Sequence, residues 1–451
     1  MVTPSLTRND AAYARKPLSP PGLRRFGAIC GVGLHRQWRR LLVTVAALVT
    51  SACGNSVYIR GGFDAVVDLD QPAWRLLLIG DGGTDNLARS SVLAAASSYV
   101  SAAPERTAVV WLGDNLYTHG LPADDESAPD SIAERQRGQA VLGGQMEVAT
   151  DGARAFFVPG NHDWDHSGKR GLARIRAAGR FIATRSASAQ APADGCPGPV
   201  WVDLEARRGS SVPGVRLVFV DTEWLLTSKH PRGWEGCSWG PIDAGPEYEG
   251  NIADPEQVYA QLAAGLQEAA EHGLLAVVVG HHPIYTAGSH GGFFPADEWL
   301  FSTRMLKKWA WIPIPLLGVA ARKIGGSIKG QDLSGGANKA MVRGLQSAFV
   351  ESPPLLYAAG HEHDLQVFAD PGGRPSTYVV SGSASKSAPT GQRQNSLFKS
   401  REHGFMVVDG LGARIGGGQA RLRVVAVDPK TGRARIPFCA ELERNRPAVA
   451  C

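Results

Sequence analysis

The most legible feature of the chain is a series of short apolar runs at 74–79 (broken only by Arg75), 108–112, 156–158, 217–220, 276–279 and 355–359. Runs of this length suit strands buried on both faces, as in parallel sheets. Between them the period changes. Residues 254–272 place Val258, Leu262 and Leu266 on one face at i, i+4 spacing, with Gly273 as a stop. The Ala/Ser-rich stretch 86–100 reads as another helix. From 376 onward short strand patterns return, at 378–380, 405–408 and 421–427. There is no repeat. The pattern predicts one α/β unit with a β-rich C-terminal half rather than separable domains. At about 150 residues per domain the length alone would allow two or three.

Two segments break the rhythm and read as insertions. Residues 224–253 are rich in Trp, Gly and Pro. Residues 286–350 include an apolar stretch, 309–319, interrupted by Pro313 and Pro315. Those prolines argue against a membrane helix. The stretch reads as a core helix or an active-site lid, with peripheral membrane contact as the alternative.

Charge is unevenly placed. The chain carries a formal +5. Residues 1–53 hold eight basic residues against the single acid Asp10, a net +7, which leaves −2 for residues 54–451. The body therefore lacks the basic footprint that nucleic-acid binding requires. Its 43% hydrophobic and 20% charged content permits a large core.

The basic leader reads as an export signal. Arg39 and Arg40 precede an uncharged run at 41–49, then Thr50-Ser51-Ala52-Cys53-Gly54. The run is too short for a stable membrane anchor. Cys53 after small residues is similar to a bacterial lipoprotein box, although Thr50 stands where an aliphatic residue is usual. The basic segment is long for a signal, and synthesis starting near Val32 would explain it. The expected organisation is a leader over 1–53 and a body over 54–451. The expected location is periplasmic, outer-membrane-anchored through a lipidated Cys53, or secreted. Cys196, Cys237, Cys439 and Cys451 remain in the body. Neighbourhood in sequence suggests Cys196 with Cys237 and Cys439 with Cys451, though four cysteines allow three pairings.

The polar residues that close the apolar runs carry the chemistry. Gly80-Asp81, Gly113-Asp114, Gly160-Asn161, Gly280-His281 and Gly360-His361-Glu362-His363 all fall at strand ends. Ligands of open α/β sheets bind at the carboxyl ends of strands. Asp81, Asp114, Asn161, His281, His361 and His363 therefore converge on one expected site, and Tyr117 follows Asp114 closely enough to join it. The set is all oxygen and nitrogen, which suits iron, manganese or zinc. Seven groups exceed the needs of one ion and fit two ions sharing a carboxylate. An extended backbone at His361-Glu362-His363 would point both imidazoles the same way. Each motif alone is more often a turn or a solvated loop. Their occurrence together, in this order, is what points to a metal centre.

In that order the motifs resemble those of the purple acid phosphatases, within the calcineurin-like metallophosphoesterase superfamily: GDxG at 80–83, GDxxY at 113–117, GNH(D/E) at 160–163, VxxH at 278–281 and GHxH at 360–363. All five are intact. Tyr117 points to the purple (tartrate-resistant) subgroup. The resemblance implies a four-layer αββα sandwich of two mixed sheets flanked by helices. It also implies a ferric ion held by Asp81, Tyr117 and His363, and a divalent ion (Fe, Zn or Mn) held by Asn161, His281 and His361, with Asp114 as the bridge. His162 resembles the proton donor to the leaving alcohol, its alternative being a histidine that only orients ligands. His282 could contact phosphate or be a core histidine. His166, His290 and the Ser381-Gly382-Ser383-Ala384-Ser385-Lys386 loop are weaker candidates of the same kind.

The function this implies is a binuclear metal-dependent phosphohydrolase, an acid phosphomonoesterase in which metal-bound hydroxide attacks phosphorus of a phosphate ester. The alternatives are a phosphodiesterase acting on nucleotides or phospholipid headgroups, and a non-catalytic metal- or phosphate-binding surface lipoprotein.

Overall fold

The computed structural model describes residues 57–58, 72–227, 237–242, 249–250, 252, 254–293, 330–370, 372–411 and 419–451. All of them lie in one compact unit, Ala52–Cys451. The leader with Cys53, and the stretch 309–319, lie outside the described residues.

The apolar runs become the centres of two mixed sheets. In the first, the order is Arg446–Ala450, Ala434–Glu443, Ala420–Val427, Gly404–Gly410, Arg75–Ile79, Thr107–Trp111, Arg154–Phe157 and Ser188–Gln190. The last four of these run parallel, and the others pair antiparallel. In the second, the order is Val57–Tyr58, Ser396–Ser400, Leu365–Ala369, Thr377–Ser381, Leu356–Ala359, Leu275–Val279, Val215–Phe219, Val200–Leu204 and Gly240–Pro241. Its centre, from Thr377–Ser381 to Val215–Phe219, is parallel.

Side chains alternate across each strand, so one run feeds two different layers. Leu76 and Leu78 pack with Val110, Phe156, Leu217, Phe219, Val277 and Val279 between the sheets. Leu77 and Ile79 face the other way, onto Val92, Ala96, Val141, Leu142 and Ala177 of the helices Leu87–Ala102, Pro129–Met146 and Gly171–Ile182. On the far side Val218, Val278 and Tyr357 meet Val258, Leu262 and Leu266 of Pro255–Glu271 and Met341 and Leu345 of Gly336–Ala348. The result is the expected four-layer αββα sandwich. It explains why the runs lack the alternation of a half-exposed sheet: both faces are covered.

Local signals set the helix starts. Asn86 Oδ1 accepts the Arg89 amide at 2.9 Å, and Asp254 Oδ1 accepts the Gln257 amide at 3.0 Å. Cys196 is bonded to Cys237 and Cys439 to Cys451. No described helix is long and apolar enough to cross a membrane.

Candidate metal centre

Parallel strands of both sheets deliver their C-terminal ends to one edge of the sandwich, and their loops are stapled there. The Asp81 amide donates to Gly113 O at 3.0 Å, and the Gly360 amide to His281 O at 3.0 Å. The His361 amide donates to Asp81 Oδ2 at 2.7 Å. Asp163, the last residue of the GNHD motif, accepts the amides of Gly160 (2.8 Å), Asn115 (3.1 Å) and Leu116 (3.0 Å), so one carboxylate ties two of the loops together. Burial, then the charge of Asp114, pushes its own pKa up to about 7.

The backbone is unusual where the candidate ligands sit. Asp81 (φ 60°), Asp114 (φ 52°), His361 (φ 73°) and His363 (φ 55°) are all left-handed. For residues with a Cβ this conformation costs about 1–2 kcal/mol each, and it persists where surroundings over-determine it. It also corrects the expectation for His361-Glu362-His363. The segment is not extended, and its two imidazoles go to different clusters.

In the first cluster, Tyr117 Oη donates to Asp81 Oδ1 at 2.8 Å and lies 3.0 Å from His363 Nε2. His363 Nε2 is 3.3 Å from Asp81 Oδ1. In the second, His281 Nε2 is 3.0 Å from Asn161 Oδ1, 3.1 Å from His361 Nδ1 and 3.4 Å from Asp114 Oδ1. Asp114 reaches both clusters, since it also interacts with the Tyr117 phenol. All seven sequence-predicted ligands are thus brought together in two groups joined by Asp114.

The donor set fits two cations. Bonds of about 2.1 Å meeting at right angles leave their donor atoms about 3 Å apart, which is the spacing of both clusters. His281 Nδ1 is 2.8 Å from Leu112 O, so its proton belongs there and Nε2 faces the cluster. The Asn161 amide nitrogen lies 3.2 Å from His166 Nδ1, which turns its oxygen inward. Burial, then the neighbouring imidazoles His290 and His282, holds His361 well below the usual histidine range, leaving it neutral as ligation requires. Burial opposes charge on His281, but Asp114 and Asp81 outweigh it and raise its pKa. The field at this point therefore favours a positive charge, whether a proton or a metal supplies it.

Burial, then Asp114 and Asp81, pushes the Tyr117 phenol well up. Asp114 is pulled down overall: burial raises it, and His281 and His162 lower it further.

The two catalytic candidates differ in access. The His162 side chain is 18% exposed, its Nε2 lies 3.8 Å from Asp114 Oδ2, and its Nδ1 is 2.6 Å from Thr118 O. Burial lowers its pKa against the pull of Asp114. His282 is wholly buried, with Nδ1 2.9 Å from Thr222 Oγ1 and Nε2 3.5 Å from Glu223 Oε2. His166 stacks edge-on to His162 at 4.2 Å, and the ring of His290 lies 4.2 Å from that of His361 while its Nδ1 is 2.8 Å from Asp332 Oδ1.

Sequence reading missed the supporting layer. Thr222 accepts the His281 and His282 amides at 3.1 and 2.9 Å. Glu223, raised to about 7 by burial, accepts from Ser167 at 2.5 Å. Asp221, raised to about 7 by burial, accepts the Trp164 indole at 2.7 Å. The one available cue was that the run at 217–220 also ends in a polar cluster, Asp221-Thr222-Glu223. Lys386, in the Ser/Gly loop, stands with its Nζ 3.0 Å from the centroid of the Tyr117 ring.

No protein-family model matches the chain, and no curated protein matches it. Among solved structures it is similar to GAP50, described as the anchor in the inner membrane complex of Plasmodium, at 16% identity and a TM-score of 0.48 over 83% of this chain and 90% of that one. It is also similar to a dimetal phosphatase from Danio rerio at 14% identity and a TM-score of 0.38, over 83% of this chain and 99% of that one. Likeness at this level does not carry chemistry from one chain to another.

Proposed function

We propose that the protein is a binuclear metal-dependent phosphohydrolase acting on phosphate monoesters. The observation that carries this is the pair of donor clusters sharing Asp114, with the partly exposed His162 beside that carboxylate. Asp81, Tyr117 and His363 would hold one ion; Asn161, His281 and His361 the other. The phenol of Tyr117 suits ferric iron at the first position, and the neutral amide and imidazoles suit a divalent iron, zinc or manganese at the second. When bound, two such ions neutralise phosphoryl oxygens and make water a nucleophile near neutral pH.

The chain's own residues do the rest. Leu112 O and the His166 ring hold His281 and Asn161 in the ligating orientation. Thr118 O fixes the His162 tautomer through Nδ1, which leaves Nε2 facing the site. There the imidazolium form, which carries a proton on each ring nitrogen, is placed to give its Nε2 proton to the departing alkoxide as the P–O ester bond breaks, while water's oxygen bonds to phosphorus and its surplus proton leaves to solvent. His162→Asn is expected to lower kcat about 10²–10⁴-fold with metal content unchanged. The two disulfides suit an oxidising compartment and support an exported protein.

The test is hydrolysis of a chromogenic monoester beside its matched diester by the metal-loaded full-length chain, from acid to neutral pH. Metal-dependent preference for the monoester is expected. Preference for the diester would reassign the site to a phosphodiesterase. Metal binding without hydrolysis of either would make it a binding protein.

A further inference from the structure

One cation at the site has no part in the chemistry above. Lys386 is half-buried, and no ion pair holds it among the described residues. Its ammonium rests on the face of the Tyr117 ring, the same ring whose hydroxyl meets Asp81 and His363.

The backbone around it is pinned to the metal-site loops on both sides. The Ala384 amide donates to Gly80 O at 3.2 Å. Ser385 Oγ donates to the carbonyl of Asp81, and Ser385 O accepts from Asn86 Nδ2 at 2.7 Å. The Ala388 amide donates to His363 O at 2.8 Å. Lys386 therefore leaves a fixed platform, and little ordering remains to be done when its side chain engages a ligand. An ammonium binds an oxyanion more strongly than a ring face, so it can turn from Tyr117 to a phosphoryl oxygen as substrate arrives.

We propose that Lys386 is a specificity-determining residue whose ammonium takes a non-bridging oxygen of the substrate's phosphoryl group, favouring dianionic monoesters over monoanionic diesters. The inference deepens the phosphohydrolase reading and rests on it. The discrimination is one of charge. A monoester presents a second negative oxygen that a diester has esterified, and a lysine that feels Asp114 and Asp81 only from beyond ion-pair distance is attracted in proportion to that charge.

The experiment uses the full-length chain loaded with iron and zinc, as wild type, Lys386→Met and Lys386→Arg. It measures kcat/KM for the monoester and the matched diester, the dissociation constant of inorganic phosphate by calorimetry, and bound metal. Lys386→Met is expected to lower monoester kcat/KM on the order of 10–100-fold and phosphate affinity roughly 10-fold, with the diester changed by less than about 3-fold. Lys386→Arg should recover most of the loss, with metal content constant throughout. Equal losses on both esters, or loss of metal in Lys386→Met, would assign the lysine to covering Tyr117 and overturn the proposal, as would no change at all. Should the wild type hydrolyse neither ester, the phosphohydrolase reading fails, and the ratio of phosphate affinities still decides the role of Lys386.

Discussion

Two glycines with the same backbone conformation separate strain from damage to the metal centre. Gly113 has φ +88°, and a Cβ there would stand 2.4 Å from His281 Nδ1, 2.7 Å from its Cγ and 2.9 Å from its Cβ. Gly273, after the helix Pro255–Glu271, has φ +72° with nothing within 4 Å of an added Cβ. Alanine at either site incurs the left-handed cost of about 1–2 kcal/mol. At Gly113 the methyl must also displace a fully buried ring, adding about 1–3 kcal/mol. The expected losses are thus about 1–2 kcal/mol for Gly273→Ala and about 2–5 kcal/mol for Gly113→Ala. The displaced ring is the one positioned by the 2.8 Å contact between His281 Nδ1 and Leu112 O. Divalent-metal affinity should therefore fall by at least about 10-fold in Gly113→Ala alone. Denaturant midpoints at matched slope give the stability difference, and elemental analysis after dialysis gives the metal. A stability loss in Gly113→Ala no larger than in Gly273→Ala, or a wild-type metal content in Gly113→Ala, would refute a displaced His281.

Other outcomes follow from the same geometry. Asp114→Asn should abolish turnover in a chain that stays folded, because Asp114 reaches both clusters; wild-type-like turnover in that variant would exclude a shared carboxylate. His166→Ala releases the Asn161 amide and should weaken the divalent ion about 10–100-fold, read by competition with a chelator. Replacing Cys196 and Cys237 by Ser opens a link across 41 positions and should cost about 4 kcal/mol, against about 3 kcal/mol for Cys439 and Cys451 across 12; equal denaturant shifts would count against loop entropy as the cause.

The buried parallel strands and the ligand-bearing turns were legible because one physical fact marks both: a strand covered on two faces reads as an apolar run, and its chemistry starts where the run stops. Val258, Leu262 and Leu266 were legible for the parallel reason in a helix. The outer strands were harder. Ala434–Glu443 interleaves the exposed Arg435 and the partly buried Glu441 with its buried positions and carries Pro437 at one of them, so it shows no clean run. Val200–Leu204 ends in the exposed Asp203, whose carboxylate pairs with the buried Arg216, so its apolar run is cut short. Thr222 and Glu223 escaped notice because they act on His281 and His282, some 60 positions away, and no local spacing encodes that contact. Lys386 was one residue in a loop that reads as a tight turn. Its place over Tyr117 depends on hydrogen bonds to Gly80, Asp81 and His363 that only the folded chain brings into range. The left-handed backbone at His361 and His363 could not be read locally, because even histidine, which is enriched there, adopts it in a small minority of cases.

The proposed function requires that two donor clusters bridged by Asp114 hold two ions. Elemental analysis of the purified full-length chain, after reconstitution with iron and zinc and removal of loosely bound metal, tests it most directly when run beside Asp114→Asn and Tyr117→Phe. Two ions per chain in the wild type, with the Asp114 variant losing metal from both positions and the Tyr117 variant losing iron in preference to zinc, is the predicted result. One ion or none in the wild type, or full occupancy in the Asp114 variant, would contradict it.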